Sequence, residues 1–232
     1  MFAKLANIFR APDLRKRVFY TLLMIVVMRL TAFVPIPFID QNALNDFMRN
    51  LGTAGGIFSF VNMFTGGAFQ NMTVGALGIM PYISASIIFQ LLMVVWPRLE
   101  KIAKEGEAGR KKINQYTRYA TVLLALFQGM GIATAFLIPS KLCAINSHFL
   151  FIAITAISTT AGTIFLMWIG EKVTERGIGN GSSIVITISV MSSFPGSIYQ
   201  MVEALKGGTP PIWLPIVIAL FLLCSLAIIL IQ

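Results

Sequence analysis

The sequence predicts an all-α fold, a polytopic membrane helix bundle with six transmembrane helices, and three observations carry that reading. Of 232 residues, 56% belong to the AVILMFWYC set and only 12% are charged, about half the charged share of a soluble domain. The mean hydropathy is +0.80. The charges, 18 Lys and Arg against 9 Asp and Glu for a net +9, are gathered into short runs between apolar segments. Basic residues so placed report membrane orientation, whereas a nucleic-acid binder would carry them on a soluble face. The composition also excludes an ordinary globular enzyme and a disordered tail. Two cysteines, Cys143 and Cys224, with no C-x-x-C pair are too few for a disulfide framework, and each is expected to be a small buried hydrophobe.

A bilayer core takes about 20 apolar residues of helix. Stretches of that kind occur at 18–34, 74–96, 119–138, 149–169, 183–202 and 212–231. The first follows Arg15, Lys16 and Arg17 as a signal peptide would. It ends at Pro35-Ile36-Pro37 with no small-residue cleavage site, so it is expected to be retained as helix one. A short amphipathic segment with Phe2, Leu5, Ile8 and Phe9 precedes it and suits the membrane surface.

No residue between Arg49 and Arg98 is charged, and one helix over that interval would run about 70 Å, more than twice the hydrocarbon thickness. It must be broken. Gly55-Gly56 and Gly66-Gly67 bracket residues 57–65, which as helix reach only about 14 Å. Topology decides what this piece does. With a cytoplasmic N-terminus and six alternating spans, the inner segments hold 14 basic residues: Lys4, Arg10, Arg15, Lys16 and Arg17, then Arg98, Lys101, Lys104, Arg110, Lys111, Lys112 and Arg118, then Lys172 and Arg176. The outer side holds Arg49, Lys141 and Lys206, in accord with the positive-inside rule. Counting 57–65 as a span would put the loop with its seven basic residues outside. The piece is therefore expected to enter from the outer side and return, with its glycine backbone buried in protein or lining a cavity. An interfacial helix on the outer surface is the alternative.

None of the nine acids lies well inside a span, although ion-coupled transporters usually keep intramembrane carboxylates or histidines. The sole histidine, His148, falls in the short outer loop before span four, where a solvated role is expected. No H-E-x-x-H, nucleophile elbow or P-loop occurs. A solute-transporter fragment and an intramembrane enzyme are thus the disfavoured alternatives. Arg29 is the only charge within a span, about 9 Å along the helix from Pro35. The simpler expectation is that it snorkels outward; a role in a pore is the other reading. Gly177-Ile178-Gly179-Asn180-Gly181 lacks the dinucleotide spacing and reads as a tight helix connection. Thr155, Thr159 and Thr163, at i, i+4 and i+8 beside Gly162, read as a packing face.

Several strings then occur in order: Pro35-Ile36-Pro37, Asn62-Met63-Phe64-Thr65-Gly66-Gly67, the run from Leu77 to Ile88 (LGIMPYISASII), Lys104-Glu105-Gly106-Glu107, Gln115-Tyr116-Thr117-Arg118-Tyr119 and Thr174-Glu175-Arg176-Gly177-Ile178-Gly179-Asn180-Gly181. Together they resemble the bacterial SecY family, the channel subunits of the Sec protein translocase. The resemblance runs from about Arg15 through the sixth span. It implies a ten-helix inverted-repeat fold, of which residues 1–202 would be the N-terminal half, with helices one to five and a plug at about 56–71. Residues 203–232 would be an outer loop and helix six, the start of the second half. Helices seven to ten would lie outside this sequence.

The resemblance also implies roles. Ile79, Ile83 and Ile186 would contribute to a hydrophobic pore ring. Ile57, Phe58, Phe60, Val61, Asn62, Met63, Phe64, Gly66 and Gly67 would belong to the plug. Ser86 and Gln90 would stand at the lateral gate, where a signal sequence intercalates. Lys101, Lys104, Arg110, Lys111, Lys112 and Arg118 would form the cytoplasmic partner loop. The implied function is a passive conduit, not an enzyme and without a cofactor or metal. It would pass signal-bearing unfolded chains across the inner membrane, and transmembrane helices laterally into it. The implied partners are SecE, SecG, the SecA ATPase, the ribosome, signal peptides, nascent secretory or membrane proteins, and membrane lipid. The physics of the ring is consistent: Ile79 and Ile83 are i, i+4 on one helix face, and branched apolar side chains can close around any passing chain and dewet when it leaves.

Overall fold

The computed structural model describes residues 12–52, 56–140, 142–145 and 147–206, with isolated residues of the 219–229 stretch. Eight α-helices occur among them: α1 Pro12–Leu30, α2 Gln41–Gly52, α3 Gly56–Thr65, α4 Met80–Val95, α5 Pro97–Lys104, α6 Glu107–Ile132, α7 His148–Arg176 and α8 Gly181–Lys206. A π-helical turn, Ala133–Leu137, extends α6. The described residues contain no strand beyond two isolated bridges, Pro35 to Thr73 and Ile39 to Cys143. The chain divides into two compact units, Met1–Ser192 and Ser193–Gln232, and the packing and the site described below belong to the first.

Local chemistry explains where these helices start and stop. Pro12 opens α1 with Asp13 in its first turn, a proline that needs no amide partner and an acid facing the positive helix end. Trp96 precedes Pro97 and is extended at φ −107 and ψ 106, as a residue before proline must be. Pro97 then restarts the chain as α5, and α4 and α5 meet at a bend of 102°. Asn180 caps α8: its Oδ1 accepts the amide of Ser182 at 3.1 Å.

Two helices, residues 107–137 and 148–176, are long and apolar enough to cross a membrane, and the bent pair α4 and α5 can count as a third. They contain all but the last residue of the expected span 119–138, all of 149–169 and most of 74–96. Residues 74–79 are not helical; they belong to a run of turns over 66–79. Span 18–34 corresponds to α1, which stops at Leu30 before a turn. The expected span at 183–202 lies in α8, whose apolar part Gly181–Gly196 is shorter and which contains Pro195. Most of span 212–231 falls outside the described residues, as does the surface segment at Phe2 to Phe9. The basic segment between spans two and three is helical, not a loop: α5 and the first turns of α6 carry it.

α7 is the central post, packing along α6 and α1. Its threonine stripe is buried, with Thr155 and Thr163 at 0% exposure. Thr159 returns its hydroxyl to the carbonyls of Thr155 at 2.9 Å and Ala156 at 3.2 Å, which lets a polar side chain sit in a helix interface. Small residues make the contacts possible. A Cβ on Gly129 of α6 would stand 2.5 Å from Thr159 Oγ1, and one on Gly162 would collide with the Val74 carbonyl. Two apolar clusters flank the post. One joins Ile36, Leu44, Phe69, Met72, Leu137 and Phe151; the other joins Met28, Ile79, Leu166, Ile169, Val173 and Val185. Cys143 is half-buried against the first, and His148 is exposed at the first position of α7.

Candidate functional site

α3 is a ten-residue apolar helix, GIFSFVNMFT, and its end is closely specified. Gly66 donates its amide to the Met63 carbonyl at 3.2 Å and Gly67 donates to Asn62 at 3.0 Å, the paired bonds of a Schellman stop. Both glycines have positive φ, +64 and +88, which residues with a Cβ adopt at a cost. Asn62 then clamps the returning chain, accepting the Gln70 amide at 3.0 Å and donating to Gln70 Oε1 at 3.1 Å. Beyond the turn, Ile36 donates to Met72 at 3.0 Å and Val74 to Val34 at 2.9 Å. The return path is thereby stitched to the chain just past α1. Phe60 and Phe64 pack at 4.8 Å between ring centroids. Phe60 is 56% exposed, and Val61 touches the first apolar cluster. The side chains of Ile57 and Phe58 lie outside the described residues.

The end of α3 meets a charge. Arg29 of α1 donates both Nη1 and Nη2 to the Gly66 carbonyl, each at 3.4 Å. It is half-buried and turned toward this carbonyl, which differs from the outward snorkelling expected of a lone charge near a helix end. The reason is local: a carbonyl at the negative end of a helix offers the cation a partner within reach.

Ile79, at the start of α4, is buried, and Ile83 and Ile186 pack against the cluster that contains it. The structure thus brings the three isoleucines from two helices into one apolar group. One turn further along α4, Gln90 donates to Ser86 Oγ at 3.3 Å, and Gln90 is exposed.

Polar space lies beside them. A cavity of about 310 Å³ between α4, α6, α7 and the start of α8 is lined by Tyr82, Ser86, Asn114, Arg118, Glu171 and Asn180, among others. A neighbouring one of about 360 Å³ shares Tyr82, Ser86 and Asn114 and reaches Gln90 and Arg110. Arg118 spans the gap from α6 to α7 as a fork, Nε to Glu171 Oε1 and Nη2 to Oε2, both at 2.7 Å. Of the expected partner residues, Lys104 pairs with Glu100 at 2.6 Å and Lys112 with Glu105 at 3.3 Å. Among the described residues Lys101, Arg110 and Lys111 make no ion pair and are exposed. At the end of α7, Lys172 donates to Glu175 at 2.7 Å. This bond, helped by the charges of Lys172, Arg176 and Arg118, holds the exposed Glu175 carboxyl below its ordinary range.

Sequence reasoning did not single out Glu171 or the partner of Arg29. The lone charge inside a span was the available signal for the second; nothing in the sequence pairs Arg118 with a residue 53 positions away.

An all-helical architecture, with long apolar helices, a short capped helix returning on itself and a basic flank between bent helices, defines a multi-pass helical membrane protein. Comparison with known proteins identifies the group. The SecY family model matches residues 73–232, and the chain belongs to the SecY family. It is 47% identical over 218 residues to the protein translocase subunit SecY of Streptomyces galbus, an alignment covering 90% of this chain and 50% of that protein. The Vibrio cholerae subunit is 46% identical over 208 residues, covering 89% and 46%. The chain spans about half the length of the curated relatives it matches. Among solved structures, a protein-conducting channel superposes with a TM-score of 0.58 at 19% identity, covering 85% of this chain and 43% of that one. Sec61 in a canine ribosome–channel complex gives the same values. These two likenesses speak to the fold.

Proposed function

We infer that this chain forms one pore-lining half of a protein-conducting channel, the central subunit of the Sec translocase in a bacterial inner membrane. Its N-terminus would be cytoplasmic. The observation that carries the reading is the convergence of Ile79, Ile83 and Ile186 from α4 and α8 in one apolar group. A collar of branched apolar side chains holds a passing chain without offering it a hydrogen bond, and dewets when empty. α3 acts as the plug: short, uncharged, and hinged by two glycines of positive φ. Ser86 and Gln90 mark this half's edge of the lateral gate, where a signal sequence or a membrane helix leaves sideways. The unpaired Lys101, Arg110 and Lys111 face cytoplasmic partners, either the acidic surface of the SecA ATPase or ribosomal RNA. SecE, SecG and membrane lipid complete the assembly. No bond is made or broken by this chain; SecA, the ribosome or the membrane potential supplies the energy.

The test is the resting ion conductance of the full translocase in planar bilayers with Ile83→Gly. Removing a branched side chain from the collar is expected to raise the leak. Conductance equal to the parent's, with the complex intact, would remove the pore assignment.

A further inference from the structure

We propose that Arg29 is a positioning residue for the channel, a cationic pin that holds the re-entrant helix α3 in its seated place through the Gly66 carbonyl. The inference rests on reading α3 as the plug.

Three observations meet at one point. First, α3 ends in the Schellman stop at Gly66 and Gly67, and the Gly66 carbonyl lies at the negative end of its dipole. Both arms of the Arg29 guanidinium reach that oxygen. Second, the fit has no slack. A Cβ on Gly66 would stand 2.6 Å from Arg29 Nη1, 2.7 Å from Ser192 Oγ and 3.0 Å from the Ser189 carbonyl. Gly66 is thus held between α1 on one side and the Ser189 to Ser192 turn of α8 on the other. Third, Arg29 is the one charge inside an expected span, and an unpaired charge at membrane depth is expensive.

The consequence is a conditional bond. With α3 seated, the cation has its acceptor. When α3 swings away, the cation loses it and must be hydrated by water entering the pore. The cost of opening therefore includes the separation of Arg29 from Gly66. At 3.4 Å the contact is longer than an ideal charged hydrogen bond, so its loss is expected to move the seated-to-unseated ratio by about tenfold, the low end for a bond to a charged group.

The experiment uses the full translocase in planar bilayers, with four proteins: the parent, a deletion of residues 57–65, Arg29→Gln and Arg29→Lys. A spin label at position 60 reports whether α3 has left its place. The deletion is expected to raise the resting conductance. Arg29→Gln is expected to raise it about tenfold over the parent and to mobilise the label, and Arg29→Lys to restore most of the parent's behaviour. A purely structural role would lower thermal stability in both Arg29 variants while leaving label mobility and conductance unchanged at permissive temperature, and that result overturns the pin. A leaky deletion with a tight Arg29→Gln also overturns it while leaving the plug intact. If neither leaks, the plug reading itself fails and takes the pin with it. Should Arg29→Gln fail to accumulate, Arg29→Met removes the charge while keeping much of the side chain's length. It is expected to leak like Arg29→Gln, and a tight, folded Arg29→Met overturns the proposal.

Discussion

Neutralising Glu171 isolates the contact that ties α6 to α7 at the basic flank. Arg118 reaches Glu171 through two parallel bonds of 2.7 Å, the geometry in which Arg and a carboxylate bind best. The Glu171 side chain is 20% exposed and that of Arg118 is 46% exposed. A fully wet pair contributes about 0–1 kcal/mol, and bonds to charged groups reach roughly 1.5–3 kcal/mol when shielded. Discounting for the exposed Arg side, the pair is expected to couple the two helices by about 1 kcal/mol. A double-mutant cycle of Glu171→Gln, Arg118→Gln and both together, read by thermal unfolding of the detergent-purified complex, measures it. Each single change is expected to lower the midpoint by about 2–4 °C for a unit of this size. The double change is expected to cost less than the sum by about 1 kcal/mol. The coupling should shrink in about 1 M salt, where screening acts over roughly 3 Å. Strict additivity, or coupling indifferent to salt, would refute the reasoning.

Other perturbations separate the remaining contacts. Phe64→Asn breaks the aromatic pair with Phe60, worth about 0.5–1.5 kcal/mol. It is expected to let substrates with defective signal sequences be exported several-fold better, as read by pulse-chase processing. Gly181→Ala would drive a Cβ into the Gly170 carbonyl where α8 crosses α7; overpacking of that kind costs about 1–3 kcal/mol, visible as a lowered unfolding midpoint with Gly131→Ala as a comparison in open space. Glu175 is held below its ordinary range by Lys172. Its contribution to stability is therefore present above the unfolded carboxyl value and lost as pH falls through the lower folded one. The stability difference between parent and Glu175→Gln should vanish across that acid window; a difference growing toward low pH would contradict the sign.

Much of the architecture was legible because the bilayer punishes exceptions. An uncharged interval between Arg49 and Arg98 too long for one span had to be broken, and the break falls at Gly66-Gly67, where the Schellman bonds form. The second span was expected to end at Trp96, and α4 stops one residue before it, ahead of Pro97. The positions of Ile79 and Ile83 on one face followed from spacing alone, and both join the cluster that Ile186 also touches. Less legible was anything set by distant partners. The turns at 66–79 are apolar enough to resemble helix, but Ile36 and Val34 bind that stretch through backbone bonds that no composition signals. The basic segment read as a loop because its charges interrupt hydrophobicity, whereas Glu100 with Lys104 at i, i+4 supports a helix there. Arg29 read as a snorkelling charge because its acceptor lies 37 residues away, at a backbone carbonyl.

The central claim, that α4 lines a path for polypeptide, is tested most directly by a photo-crosslinker at position 83. The full translocase would sit in native membranes with a secretory chain arrested halfway through. Adducts between position 83 and that chain, lost when the signal sequence is deleted, are the predicted result. An active complex that yields no adduct from position 83 would mean that Ile79, Ile83 and Ile186 only pack together, and the pore account would be wrong.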